Sequence, residues 1–139
     1  MPNVRVLQTE RAKARGYFAK AEQFCEAARQ QLELAHHDAA VLLAVHAGIN
    51  STDAACVALA GRRSVDPNHL RAADLLESVG RNIAEFREQA DRLRVLIGQK
   101  NRIEYEDARA TQKEALDAVK RCERLVAWTR EELAEARPH

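Results

Sequence analysis

Ala39-Ala-Val-Leu-Leu-Ala-Val-His-Ala-Gly-Ile-Asn-Ser-Thr-Asp-Ala-Ala-Cys-Val-Ala-Leu-Ala60 sets the architecture of this chain. Its first half, Ala39 to Ile49, is apolar on nearly every side. A helix of that kind belongs in the middle of a bundle or at an oligomer interface. The polar run Asn50-Ser-Thr-Asp53 then either breaks the helix or turns a polar face towards a site. Val45, Ile49, Cys56 and Leu59 stay near one stripe, so the spacing favours a continuous helix. Gly48 inside it costs about 1 kcal/mol relative to alanine, yet lets a neighbouring helix come close. Gly61 is a natural stop.

On the N-terminal side, a first helix is predicted from an N-cap near Thr9 to about Leu34. Tyr17, Phe18, Ala21, Phe24, Cys25, Ala28 and Leu32 make its apolar stripe. Asp38 reads as the cap of the second helix. Beyond Gly61, Asp66-Pro67 looks like a cap followed by proline at a first helical position. The short third helix then carries His69, Leu70, Ala73, Leu75 and Leu76, and ends around Val79-Gly80. Ile83, Phe86, Ala90, Leu93 and Ile97 mark a fourth helix, with Gly98 loosening its end. A fifth starts near Thr111 and shows Ala115, Val119, Cys122, Val126 and Leu133 on one face. Arg137-Pro-His139 is expected to fray. There is no period-2 strand pattern, so the expectation is an all-α, up-and-down bundle of four or five helices.

Composition agrees. The chain has 139 residues, within the size of one domain, so 1–139 is expected to form a single helical domain with its core at about 9–135. With 22 basic against 21 acidic residues, no global charge favours nucleic acid. No N-terminal apolar run follows Met1, and no segment reads as the roughly 20 apolar residues of a membrane span. A cytoplasmic chain without membrane contact is expected. Three cysteines, Cys25, Cys56 and Cys122, have no paired spacing for zinc and fall on apolar helix faces. Adjacent His36 and His37 diverge on a helix, His46 reads as a core histidine, and Trp128 as core or interface. No metal site and no cofactor are expected.

Three constellations carry chemistry. Gly98-Gln-Lys-Asn-Arg-Ile-Glu-Tyr-Glu-Asp107 is a dense polar knot between two periodic segments. Gly61-Arg-Arg-Ser64 followed by His69 places five residues between Arg63 and His69. Asp53 sits on an otherwise buried helix, where its carboxylate must reach water or a partner such as Lys100, Arg102 or Arg63. His69 at a helix N-terminus tends towards the neutral form, because the helix dipole disfavours added positive charge.

Taken in order, helix pattern, Ala-Gly-Ile-Asn-Ser-Thr-Asp-Ala, Gly-Arg-Arg-Ser with His69, and Lys-Asn-Arg-Ile-Glu-Tyr resemble the HEPN domain family. These are small helical proteins of prokaryotic toxin–antitoxin and defence systems. The resemblance spans about Arg11 to Leu133. Its catalytic members cut RNA without metal, using an arginine, four to six intervening residues and a histidine in a signature turn. Here Lys100 stands where that arginine would be and Tyr105 where the histidine would be. Lysine lacks the bidentate fork of arginine, and tyrosine is a poor base at neutral pH. The Arg63–His69 spacing also satisfies the pattern, at a different place in the chain.

The resemblance therefore implies catalytic candidates His69, Lys100, Arg102 and Tyr105. RNA or nucleotide binding falls to Arg62, Arg63, Lys100, Asn101 and Arg102, with Asp53 and Glu104 organising the site. It implies a homodimer with the two turns facing one cleft. The function it favours is a degenerate RNA- or nucleotide-binding dimer acting through a protein partner, for instance a minimal nucleotidyltransferase that modifies Tyr105. An active endoribonuclease toxin and a helical scaffold without a nucleic-acid role are the alternatives.

Overall fold

A computed structural model describes residues 5–136. Among the described residues there are five α-helices: α1 (Ala14–Glu33), α2 (His37–Ala60), α3 (Leu70–Gly80), α4 (Ala84–Tyr105) and α5 (Gln112–Glu135). Two short strands, β1 (Val6–Gln8) and β2 (Arg62–Ser64), pair antiparallel with Leu7 opposite Arg63. The chain is an all-α bundle, as its periodicity indicates. Residues Arg137, Pro138 and His139, expected to fray, lie outside the described residues.

α2 is continuous through Asn50-Ser-Thr-Asp53, where Asn50 and Ser51 find partners while the buried Thr52 Oγ1 has none among the described residues. Asn50 Nδ2 donates to the His46 carbonyl at 2.9 Å. Ser51 Oγ donates to Thr129 Oγ1 at 2.8 Å, which ties α2 to α5 inside the core. Gly48 provides the close approach expected of it. A methyl there would stand 3.0 Å from Leu96 Cδ1 and 3.3 Å from Leu93 Cδ1, so α4 comes against bare backbone. Ala40, Val41, Ala44, Val45, Ala54 and Val57 are wholly buried. By length and composition α2 is apolar enough to cross a bilayer, contrary to the sequence-based expectation of no such segment. It is instead enclosed, with 72% of its most apolar window buried by the other helices.

Several boundaries depart from expectation. Thr9 does not cap α1. Its N–H donates to the Gly61 carbonyl at 2.9 Å, continuing the β1–β2 pairing, and a 3-10 turn at Arg11–Lys13 precedes Ala14. Strands were not expected at all. Asp38 lies in the first turn of α2 behind an N-cap at His36. Its carboxylate instead reaches across the fold, accepting from the Ala110 N–H at 2.6 Å. Asp66-Pro67 does not open α3, because Asp66 Oδ1 turns to accept from the Asn68 N–H, and the helix begins at Leu70. Gly98 does not loosen α4, which runs on to Tyr105. His46 is exposed rather than in the core.

Thr111 begins α5 as expected, through a reciprocal capping box with Glu114. Gly61 ends α2 at φ 66°, the left-handed conformation that glycine adopts without strain. Trp128 is in the core, edge-on to Phe86 with ring centroids 5.0 Å apart. All three thiols are buried and free, with Cys25 and Cys122 brought to an Sγ–Sγ distance of 3.5 Å.

Candidate functional site

Asp53 is the natural starting point, since a carboxylate on a core helix needs an explanation. It is 8% exposed and faces a cavity of about 300 Å³, whose lining also includes Ile49, Arg63, Ser64, Asp66, His69 and Ala72. Burial pushes its carboxyl up to about 7, against the attraction of Arg63. Asp53 forms no direct ion pair among the described residues. The expected partners are engaged elsewhere: Lys100 Nζ holds Glu104 at 3.0 Å, and Arg102 pairs with Glu114 of the α5 cap.

The loop from β2 to α3 brings an arginine and a histidine to this cavity. Strand alternation sends Arg62 and Arg63 to opposite sides, and only Arg63 lines the cavity. Its guanidinium carbon lies 5.4 Å over the centre of the Tyr17 ring of α1. The Arg63 Nε is buried and has no hydrogen-bond partner among the described residues. Three successive turns then fix the route to His69. Ser64 Oγ accepts from the Asp66 N–H, Asp66 Oδ1 from the Asn68 N–H, and Asn68 Oδ1 from the Leu70 N–H. These small polar residues bond their neighbouring backbone, which is why the loop holds a shape without belonging to a helix.

His69 is the N-cap residue of α3 and makes no side-chain cap hydrogen bond, so both ring nitrogens are free of that role. Partial desolvation lowers its pKa, and the neighbouring Lys100 and His46 act in the same direction, while Glu104 opposes them. The imidazole is therefore neutral at neutral pH and able to accept a proton. His46, Asn50 and Asp53 are spaced to share one face of α2, since residues four and three apart stack on a helix.

Lys100 and Tyr105 do not converge. They occupy one continuous helix, where a separation of five residues rotates side chains by about 140°. Lys100 is 12% exposed along its side chain and neutralised by Glu104. Tyr105 is 79% exposed at the end of α4, Asn101 is exposed, and Arg102 is half-buried beside Glu114. The proposed site residues thus divide. Asp53, Arg63 and His69 share a cavity with Lys100 and Glu104 electrostatically coupled to it, whereas Arg62, Arg102 and Tyr105 do not line it.

Tyr17 and His46 were not singled out as site residues from the sequence. The His46-x3-Asn50-x2-Asp53 spacing was a legible sign for His46, but nothing local links Tyr17 to Arg63. A larger groove of about 860 Å³ lies between α1 and α5, floored by Phe18, Ala58 and Leu133. It contains no histidine, and its Glu22 is held by Arg130 at 2.9 Å. Among the described residues no three His, Cys, Asp or Glu side chains group as metal ligands.

A family model described as HEPN domain matches residues 14–133 of this chain, from the start of α1 to near the end of α5. No curated protein matches it.

Proposed function

The chain belongs to the HEPN domain family, and on that footing we propose that it binds and cleaves RNA with Arg63 and His69 as its working pair. The observation that carries this is their convergence. Five residues separate them, within the family's spacing, and both line the cavity above Asp53. Neutral His69 accepts the proton of an RNA 2′-hydroxyl, whose oxygen attacks the adjacent phosphorus to form a 2′,3′-cyclic phosphate as the 5′-oxygen leaves, taking a proton from water. Arg63 stabilises the charge that gathers on the phosphoryl oxygens. It suits that task because it carries its full charge without an acid closing on it. The net charge of only +1 requires that RNA recognition be local to such a site.

RNA cleavage in excess chelator tests this, comparing the native chain with His69→Ala and Arg63→Ala. Loss of the general base is expected to slow cleavage by about 10²- to 10⁴-fold. His69→Ala should still bind RNA, and Arg63→Ala should bind it more weakly. An inert native protein would remove the nuclease.

A second function rests on Tyr105, exposed at 79% on the last turn of α4. Such a phenol is open to a modifying enzyme, and a minimal nucleotidyltransferase partner would leave a nucleotide on it. In that case the chain works as a degenerate RNA-binding dimer controlled by its partner. Mass spectrometry of the co-expressed pair decides: an unmodified Tyr105 counts against it. Family membership likewise supports a cytoplasmic homodimer with two sites facing one cleft, which light scattering on the purified chain tests.

A further inference from the structure

Arg63 is held differently from the other arginines for which the fold provides a partner. None of the ion pairs among the described residues includes it. Asp53, the acid that feels its charge, does not close on it. β2 delivers its backbone beside β1, opposite Leu7. Beyond the backbone, the feature that constrains the guanidinium is the half-buried ring of Tyr17, 5.4 Å away.

That difference has a chemical meaning. A carboxylate would also restrain the long arginine side chain, but it would cancel the charge a phosphate needs, as Glu114 does for Arg102. An aromatic face attracts the guanidinium plane electrostatically and leaves its net charge and its N–H edge available. The side chain is then ordered before RNA arrives, and less rotamer freedom is lost on binding.

We propose that Tyr17 is a positioning residue of the RNA-phosphate site, its ring presenting the guanidinium of Arg63 to the cavity. This rests on Arg63 being the phosphate-binding group proposed above. The ring face does the work, so the hydroxyl is dispensable. Tyr17→Phe should behave as the native chain, while Tyr17→Leu fills the space without the aromatic face.

The test is a double-mutant cycle on the full chain. Its readout is anisotropy of a fluorescein-labelled single-stranded 2′-O-methyl RNA, which lacks the hydroxyl that cleavage needs. Tyr17→Leu is expected to weaken binding about five- to tenfold, and Tyr17→Phe by less than about twofold. Tyr17→Leu/Arg63→Ala should bind no more weakly than Arg63→Ala alone. The Arg63 Nε–H resonance should lose its ring-current shift in Tyr17→Leu while persisting in Tyr17→Phe. A native Kd for Tyr17→Leu beside a weakened Arg63→Ala overturns the role of Tyr17 alone. Losses that multiply in the double variant, or a Tyr17→Phe as weak as Tyr17→Leu, also overturn it. An Arg63→Ala variant that binds RNA normally removes the phosphate site itself, and the role of Tyr17 with it.

Discussion

Asp53→Asn should stabilise this protein at alkaline pH and do so progressively less as the solution is acidified. The carboxyl is 8% exposed, and burial carries it from an ordinary 3.8 to about 7. Below pH 4 it is protonated in both the folded and the unfolded chain, and neither state is favoured by titration. Between pH 4 and 7 the unfolded chain releases this proton while the folded chain keeps it. Folding stability therefore falls as pH rises through that window, and the loss is complete above pH 7. The span amounts to about 4 kcal/mol, at 1.36 kcal/mol for each tenfold change in acidity.

Asparagine keeps the shape and removes the titration, though its amide still needs partners, at a cost of about 1 kcal/mol. The expected net gain at pH 8 is about 3 kcal/mol, or about 10 °C in melting temperature for a chain of this size. Urea titrations at pH 5, 6, 7 and 8, followed by fluorescence of the single buried Trp128, measure it. Subtracting native from variant cancels the other ionisable groups, including Asp74, whose pKa is lowered by its hydrogen bonds to Arg94 and Arg71. A variant-minus-native difference that is the same at pH 5 and pH 8 would refute the argument. So would a native chain more stable than Asp53→Asn at pH 8.

Two further substitutions test the scaffold. In Gly80→Ala the new methyl would stand 2.3 Å from both Cβ and Cγ of Phe86, whose ring abuts Trp128. Overpacking of about 1–3 kcal/mol should outweigh the roughly 1 kcal/mol gained in helix propensity, and an undiminished urea midpoint would contradict it. Asp38→Ala removes the acceptor for the Ala110 N–H and the contact to Arg109 Nε at 3.3 Å, which tie the α4–α5 connection to the start of α2. About 1–2 kcal/mol should be lost, with faster hydrogen exchange at Ala110; native exchange there would count against the tether.

The helices were legible because their spacing repeats over many residues, so isolated exceptions could not mask them. Val45, Ile49, Cys56 and Leu59 carried α2 past Asn50–Asp53 on that basis. What remained hidden depended on partners distant in sequence. Ser51 is satisfied by Thr129, 78 residues away, and β1 finds β2 across the whole of α1 and α2. Strands of three residues have no room to show an alternating pattern. Thr9 and Asp66 are good capping residues by type, but Thr9 continues the strand pairing and Asp66 closes a turn. The segment Gly98–Asp107 has the composition of a solvated turn, yet Lys100 and Glu104 form an i,i+4 pair that suits an exposed helix equally well. Spacing alone showed Arg63 and His69 as a pair, while their convergence on Asp53 required the folded loop.

That convergence differs from the way charge is handled elsewhere in the molecule. Arg94 is surrounded by Asp74, Glu77 and Asp91, Lys100 meets Glu104, and Arg102 meets Glu114. Each arrangement lowers the energy of the folded chain or leaves it little changed. The cavity contains the opposite choices. Asp53 is buried at the expense of stability, Arg63 rests on a ring instead of an acid, and His69 is kept neutral. Asp53, Arg63 and His69 all line one cavity of about 300 Å³. Perturbed titratable groups gathered in a cleft are what acid–base chemistry on a bound anion requires. Asp53→Asn separates the two demands: a more stable protein with weakened RNA cleavage would show that the carboxylate serves the site, whereas full activity would leave it a structural group only.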